Sequence, residues 1–338
     1  MELSGTVLWG DEYEPIQGTL VVEDGTVQRL DEESTDSSNL ILPAFVNAHT
    51  HLGDSIAKEA GRGLTLEELV APPDGLKHQL LRDSDRGELV EAMRHSLRFM
   101  QETGTASCLE FREGGVEGVY ALREAADGLG IDPFAFGRGE TDVVEAANGF
   151  GASGAADADF SSERAAARNA DKPFAIHAGE VDASDINPAI DLDPDLLVHM
   201  VHAESLHLDR VEDKQLPVAV CPRSNLVTDV GLPPVRELLD RTSVALGTDN
   251  VMTNSPSMFR EMEFVSKCCD VDAPEVLRMA TRAGAAAISA NYGVLEQGRE
   301  ARVLVLDGDS HNLTGALDPV RAVVRRAGAS DVERVVLP

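Results

Sequence analysis

The sequence predicts an α/β fold, a (β/α)8 TIM barrel with a small β-sandwich domain formed from both termini. Three observations predict it. Eight short apolar runs alternate with amphipathic stretches from residue 41 onward, the pattern of parallel strands joined by helices. The 338 residues exceed the roughly 250 that such a barrel uses. Strand-like segments broken by tight turns stand on both sides of the alternating region.

Residues 6–9, 18–22 and 26–30 read as strands, parted by turns such as Glu23-Asp24-Gly25. A polar stretch, 31–39, then leads into the barrel. Barrel strands are expected at 41–48, 105–111, 133–138, 149–151, 173–177, 196–201, 217–220 and 243–247. Helices are expected at 85–103, 116–129, 161–169, 234–241 and 274–290. The connection after the first strand runs from 52 to beyond 82 and carries the turn-rich Ala71-Pro72-Pro73-Asp74-Gly75. An insertion at the C-terminal end of a barrel strand sits over the active site. After Asn291 the pattern returns to β at 302–306, 321–325 and 334–337. Residues 1–43 and 292–338 are therefore assigned to the β domain and 44–291 to the barrel.

Composition narrows the class. Hydrophobic residues make up 43% of the chain, enough for a large core. No run is long and apolar enough to span a bilayer, and Met1–Gly10 lacks the basic and apolar regions of a cleaved signal. Cys108, Cys221, Cys268 and Cys269 lack zinc-knuckle spacing and read as reduced structural thiols, so a cytoplasmic location is expected. The 59 acidic residues against 29 basic ones give a net charge of -30. That excludes a nucleic-acid partner, whose phosphates would be repelled. Dispersed carboxylates of this density fit a salt-rich cytoplasm, where self-repulsion is screened.

The chemistry lies at strand ends. His49-Thr50-His51 closes the first barrel strand, and residues i and i+2 of a strand point to one side, so both imidazoles can converge on one ion. Phe174-Ala175-Ile176-His177-Ala178-Gly179-Glu180 ends a strand in a third histidine, with a glycine that allows a tight turn and a glutamate that reaches toward substrate. Leu196–His202 carries His199 and His202, and Gly247-Thr248-Asp249 ends the last strand in an aspartate. Catalytic residues of barrel enzymes come from the C-terminal ends of several strands.

These motifs, with Cys221-Pro222-Arg223-Ser224-Asn225, Asn254-Ser255-Pro256-Ser257-Met258-Phe259 and Met279-Ala280-Thr281-Arg282-Ala283-Gly284, resemble the amidohydrolase superfamily over nearly the whole chain. The resemblance is to its branch of cytosine-deaminase-like, S-adenosylhomocysteine-deaminase-like and chlorohydrolase-like enzymes. His177-Ala178-Gly179-Glu180 is also the form seen in adenosine deaminases. The resemblance implies that His49, His51, His177 and Asp249 bind one divalent metal. Nitrogen ligands favour Zn2+, and Fe2+ or Mn2+ tolerate the same set. It further implies that Glu180 carries protons, that His199 rather than His202 orients the attacking water, and that Asp249 acts as base. Binuclear members generally bridge two ions with a lysine of the fourth strand. No lysine occurs between Lys77 and Lys172, so one ion is expected.

The expected function is a metal-dependent hydrolase, an aminohydrolase deaminating a nitrogen heterocycle such as a nucleobase or nucleoside. The alternative is hydrolysis of a cyclic amide, an amide or a carbon–halogen bond by the same site. Arg112, Glu113, Lys77, Arg223 and Ser224 are candidate substrate contacts, with His78 and Asp54 as weaker ones. The partner is a small-molecule substrate, with neither nucleic acid nor membrane, and a homo-oligomer is compatible with the sequence.

Overall fold

A computed structural model describes residues 1–71 and 73–338. Pro72, within the turn-rich segment of the first connection, lies outside the described residues. Nine parallel strands form one curled sheet, in the order Val244–Leu246, Val218–Val220, Leu196–His199, Phe174–Ala178, Gly149–Gly154, Asp132–Gly137, Thr105–Arg112, Phe45–His51 and Asp249–Asn250. The strands at the two edges, Val244–Leu246 and Asp249–Asn250, are separated only by Gly247 and Thr248. One short stretch of chain therefore touches both edges, and Asp249 pairs with Thr50. Asn47 and Thr248 fasten the junction, with Asn47 Nδ2 donating to Thr248 Oγ1 at 2.7 Å and Thr248 N to Asn47 Oδ1 at 3.0 Å.

Alternate residues of these strands point in opposite directions, and the packing follows. Val46, Leu109, Phe111, Phe136, Ala175, Val198, Ala219 and Ala245 form one buried cluster. Leu97, Met100, Leu122, Ile176, Leu197, Val220, Leu246 and Met262 belong to the larger one that joins strands to helices. The helices begin where capping allows. Asp85 accepts from the backbone of Gly87 and Glu88 to start Arg86–Glu102, and Asp272 forms a capping box with Glu275 to start Ala273–Ala280.

The terminal segments meet in a six-stranded sheet that combines Glu2–Trp9, Glu14–Glu23, Thr26–Glu32 and Leu40–Pro43 with Val303–Leu306 and Val332–Val336. Among the described residues the strands from both termini are hydrogen-bonded into this one sheet. The run expected as one strand over 41–48 is two. It leaves the terminal sheet at Ala44, whose N–H donates to Arg302 O, and enters the curled sheet at Phe45, whose N–H donates to Gly104 O.

Residues 321–325, read as a strand, belong instead to the helix Pro319–Arg325. Asp318 caps it by accepting from Arg321 N, Pro319 stands in its first turn, and Val320, Val323 and Val324 recur at helical spacing. The helix expected over 274–290 breaks at Thr281, whose hydroxyl contacts Tyr13 OH at 2.7 Å. The long first connection contains the helices Leu66–Val70 and Leu76–Asp83. No helix among the described residues is long and apolar enough to cross a membrane.

Candidate active site

Five candidate side chains, His49, His51, His177, His199 and Asp249, stand at or just beyond the C-terminal ends of the curled sheet's strands. His49 and His51 end the strand Phe45–His51. Its pairing with Thr105–Arg112 is irregular between Asn47 and Thr50, where Asn47 faces Cys108 and Thr50 faces Glu110. Three steps on one strand match two on the other, which is a β-bulge. The extra residue brings His49 and His51 to the side already occupied by Val46 and Ala48. His49 then lies edge-on to Phe111 with ring centroids 4.4 Å apart. Two backbones in the left-handed region aim further groups, His199 at φ 77° and Asp249 at φ 59°. Such strain in non-glycine residues gathers at functional sites. The glycine expected to permit a turn after His177 does so, Gly179 having φ 65°.

The four histidines converge. Ring centroids of His49 lie 4.9 Å from His51, 4.9 Å from His177 and 5.6 Å from His199. Asp249 Oδ1 lies 3.3 Å from His49 Nε2 and 3.6 Å from His51 Nε2. The outer nitrogens of His51, His177 and His199 are occupied. His177 Nδ1 meets Ala152 O at 2.7 Å, and His51 Nδ1 meets Phe111 O at 3.1 Å and Glu113 Oε1 at 3.0 Å. A ring held through Nδ1 presents Nε2 to the centre. Ser224 Oγ donates to Asp249 Oδ2 at 2.6 Å, and Asn225 Nδ2 stands 3.2 Å from His199 Nδ1. His199 Nε2 faces Glu180 Oε2 at 3.5 Å.

The electrostatics suit a metal. Burial lowers the pKa of His49 to about 4 and of His51 to about 3, and drives His177 well below the usual range, so their rings stay neutral with lone pairs available. Burial opposes ionisation of Asp249, but the neighbouring His49 and His199 outweigh it and hold the carboxyl well below its ordinary range. Both ring nitrogens of His49 and Oδ1 of Asp249 are buried with no hydrogen-bond partner. Buried polar atoms are rarely left so, and a divalent cation amid neutral imidazoles and one carboxylate would satisfy Asp249 Oδ1 and one nitrogen of His49. His49, His51 and Asp249 offer ligand atoms within 4.8 Å of one another, as do His49, His177 and His199. The donor set fits the expected ion.

A cavity of about 280 Å3 opens on this centre, and His51, His177, Glu180, His199 and Asp249 line it. Of the five candidate substrate contacts, Lys77 lines it too. Lys77 comes from the helix Leu76–Asp83 and is buried, with Nζ 2.7 Å from Glu113 Oε1 and 3.0 Å from Asn250 Oδ1. Glu113 touches His51 from behind the cavity. Arg112 does not line it and stands beside Glu110. Arg223 does not line it; its Nη2 donates to Asn254 Oδ1 at 3.1 Å and Ser255 O at 3.2 Å, and Ser224 serves Asp249. His78 Nε2 bonds Val70 O within the first connection, and Asp54 Oδ1 accepts from Met252 N. His202 lies outside the cavity lining. The sequence reading missed Asn225, Asn250 and Arg138, which also lines the cavity. Arg138 falls just after the strand Asp132–Gly137, a signal that could have found it, whereas Asn225 lies within the helix Pro222–Val227.

The Amidohydrolase family profile matches residues 40–148 and 143–337. A protein of Methanothermobacter thermautotrophicus, named as an aminohydrolase, is 34% identical over 99% of this chain and 96% of its own length. The 5-methylthioadenosine/S-adenosylhomocysteine deaminase of Halobacterium salinarum is 26% identical, over 90% of this chain and 82% of its own. The zinc-bound atrazine chlorohydrolase of Arthrobacter aurescens shares the fold with a TM-score of 0.83, at 20% identity over 99% of this chain and 93% of its own.

Proposed function

Because the chain belongs to the amidohydrolase family, we propose that it is a metal-dependent aminohydrolase that deaminates a nitrogen heterocycle such as a nucleobase or nucleoside. The observation that carries this reading is the facing pair of Glu180 and His199, 3.5 Å apart, beside the buried His49, His51, His177 and Asp249. A carboxyl and an imidazole flanking an ion suit an amidine-like carbon, which needs both a proton on its ring nitrogen and an oriented water.

His49, His51, His177 and Asp249 would hold one divalent ion, with zinc the best match to a nitrogen-rich set. When bound, the ion supplies Lewis acidity that lowers the pKa of water toward neutrality. Burial lifts the Glu180 carboxyl above its ordinary range, so it can hold a proton and deliver it to the ring nitrogen beside the C–NH2 carbon. His199, fixed through Nδ1 by Asn225, orients the attacking water through Nε2. Asp249 accepts the water's proton and relays it toward the departing ammonia.

We also read the curled sheet as a closed (β/α)8 barrel of residues 44–291, with 1–43 and 292–338 as its companion β unit. The charge of -30 further supports a salt-rich cytoplasm, and unchanged stability after dialysis into dilute buffer contradicts that part. The function is tested by metal analysis together with an ammonia-release screen of purines, pyrimidines, pterins and their nucleosides in molar salt. One equivalent of metal and ammonia from one of these classes are expected. Ring opening without ammonia, or no ammonia from any of them, contradicts the reading.

A further inference from the structure

Glu110 is a fully buried carboxylate that lines no part of the active-site cavity. It stands on the strand Thr105–Arg112, paired in register with Thr50. Its Oε2 accepts from Thr50 Oγ1 at 2.9 Å and from Leu52 N at 2.7 Å. One oxygen therefore grips the chain immediately before and immediately after His51. The strand gives way there to the short helix Leu52–Ala57, and the His51 side chain makes no capping hydrogen bond to it. The first N–H groups of a helix need an acceptor from outside it, and Glu110 supplies one from the neighbouring strand.

The same segment holds the ring of this histidine, because Phe111 O and Glu113 Oε1 both meet His51 Nδ1. Residues 110–113 thus fix the backbone and the imidazole of His51 together, just past the register break between Asn47 and Thr50. Stability does not account for the carboxylate. Glu110 Oε1 is buried without a hydrogen-bond partner, and Arg112 Nη1 stands 3.6 Å from it. A buried charge so incompletely paired is costly, and apolar groups in place of a buried ion pair are often neutral or stabilising.

We propose that Glu110 is a positioning residue, which sets the reach of His51 into the metal centre by holding the chain on both sides of it through one oxygen. The proposal rests on the reading of His51 as a metal ligand. Glu110 touches neither the ion nor the substrate; it acts only through the placement of His51. What it must provide is an oxygen acceptor at that point, and its charge is incidental to the role.

Zinc affinity, measured by competition with a chelator, and the visible spectrum of the cobalt-substituted protein test the placement. Glu110→Met is expected to weaken zinc by about 10-fold to 100-fold, the range for partners behind a metal ligand, and to shift the cobalt bands. Glu110→Gln keeps an oxygen for both donors and is expected to match wild type in both measurements. Thr50→Val removes one donor and leaves the buried charges intact, so it decides the matter if Glu110→Met does not fold. It is expected to weaken zinc less than Glu110→Met does and to shift the bands the same way. Magnetic resonance of the metal-free protein with isotope-labelled histidines gives a reading independent of the ion. The His51 ring resonance is expected to move in Glu110→Met and Thr50→Val and to stay in place in Glu110→Gln. A wild-type protein that takes up no zinc contradicts the metal reading, and the His51 resonance then still decides the placement. The proposal is overturned if the Met and Val variants leave that resonance unmoved, if they bind zinc as wild type does, or if Glu110→Gln is impaired as well.

Discussion

Lys77 Nζ lies 2.7 Å from Glu113 Oε1, the same oxygen that stands 3.0 Å from Nδ1 of His51. This contact ties the helix Leu76–Asp83 of the long first connection to a proposed metal ligand. Removing one member of a buried ion pair strands the other, at a cost of about 3–5 kcal/mol, whereas replacing both with apolar groups is often neutral. Lys77→Met is therefore expected to lose about 3 kcal/mol in denaturant unfolding, and adding Glu113→Leu to recover much of it. A double variant as unstable as the sum of the singles contradicts the coupling.

Glu180→Gln keeps the shape of the side chain and removes the proton it carries. Ammonia release is expected to fall by roughly 100-fold to 10,000-fold, the range for a lost general acid–base group, with metal content unchanged. A variant as active as wild type removes Glu180 from the mechanism.

Ser224 Oγ holds Asp249 Oδ2 at 2.6 Å, and partners behind a metal ligand typically contribute about 10-fold to 100-fold in metal affinity. Ser224→Ala is expected to lose metal to a competing chelator about tenfold faster while melting near the wild-type temperature. Equal rates of loss contradict a role in orienting Asp249.

Burial raises the pKa of Glu261 from 4.5 to about 7, against the opposing effect of Arg223. The native state therefore retains a proton that the unfolded chain releases between those values. With more protons bound in the native state, stability must fall as pH rises across that window. Glu261→Gln is expected to flatten this decline, and unfolding curves from pH 5 to 8 that run parallel for the two proteins contradict the shift.

Much of the site was legible because its residues end strands. An apolar run ending in His177 or Asp249 announces both the strand and the direction in which its last side chain points. The β-bulge between Asn47 and Thr50 was not legible, because a register exists only between two strands. The same holds for Asn225 beside His199, 26 residues away in sequence, and for Lys77 beside Asn250, 173 residues away. Residues 321–325 were misread because a run of valines suits a strand as well as a helix. Asp318 and Pro319 decided it locally, through a cap the hydrophobic pattern does not register. Ala44 divides one apolar run between two sheets, a turn that composition does not mark.

Ammonia release from the best substrate of the screen, followed before chelation, after chelation and after zinc is restored, tests the central claim most directly. The account predicts activity that disappears with the metal and returns with one equivalent of zinc. Ammonia release that survives complete removal of the metal would contradict it.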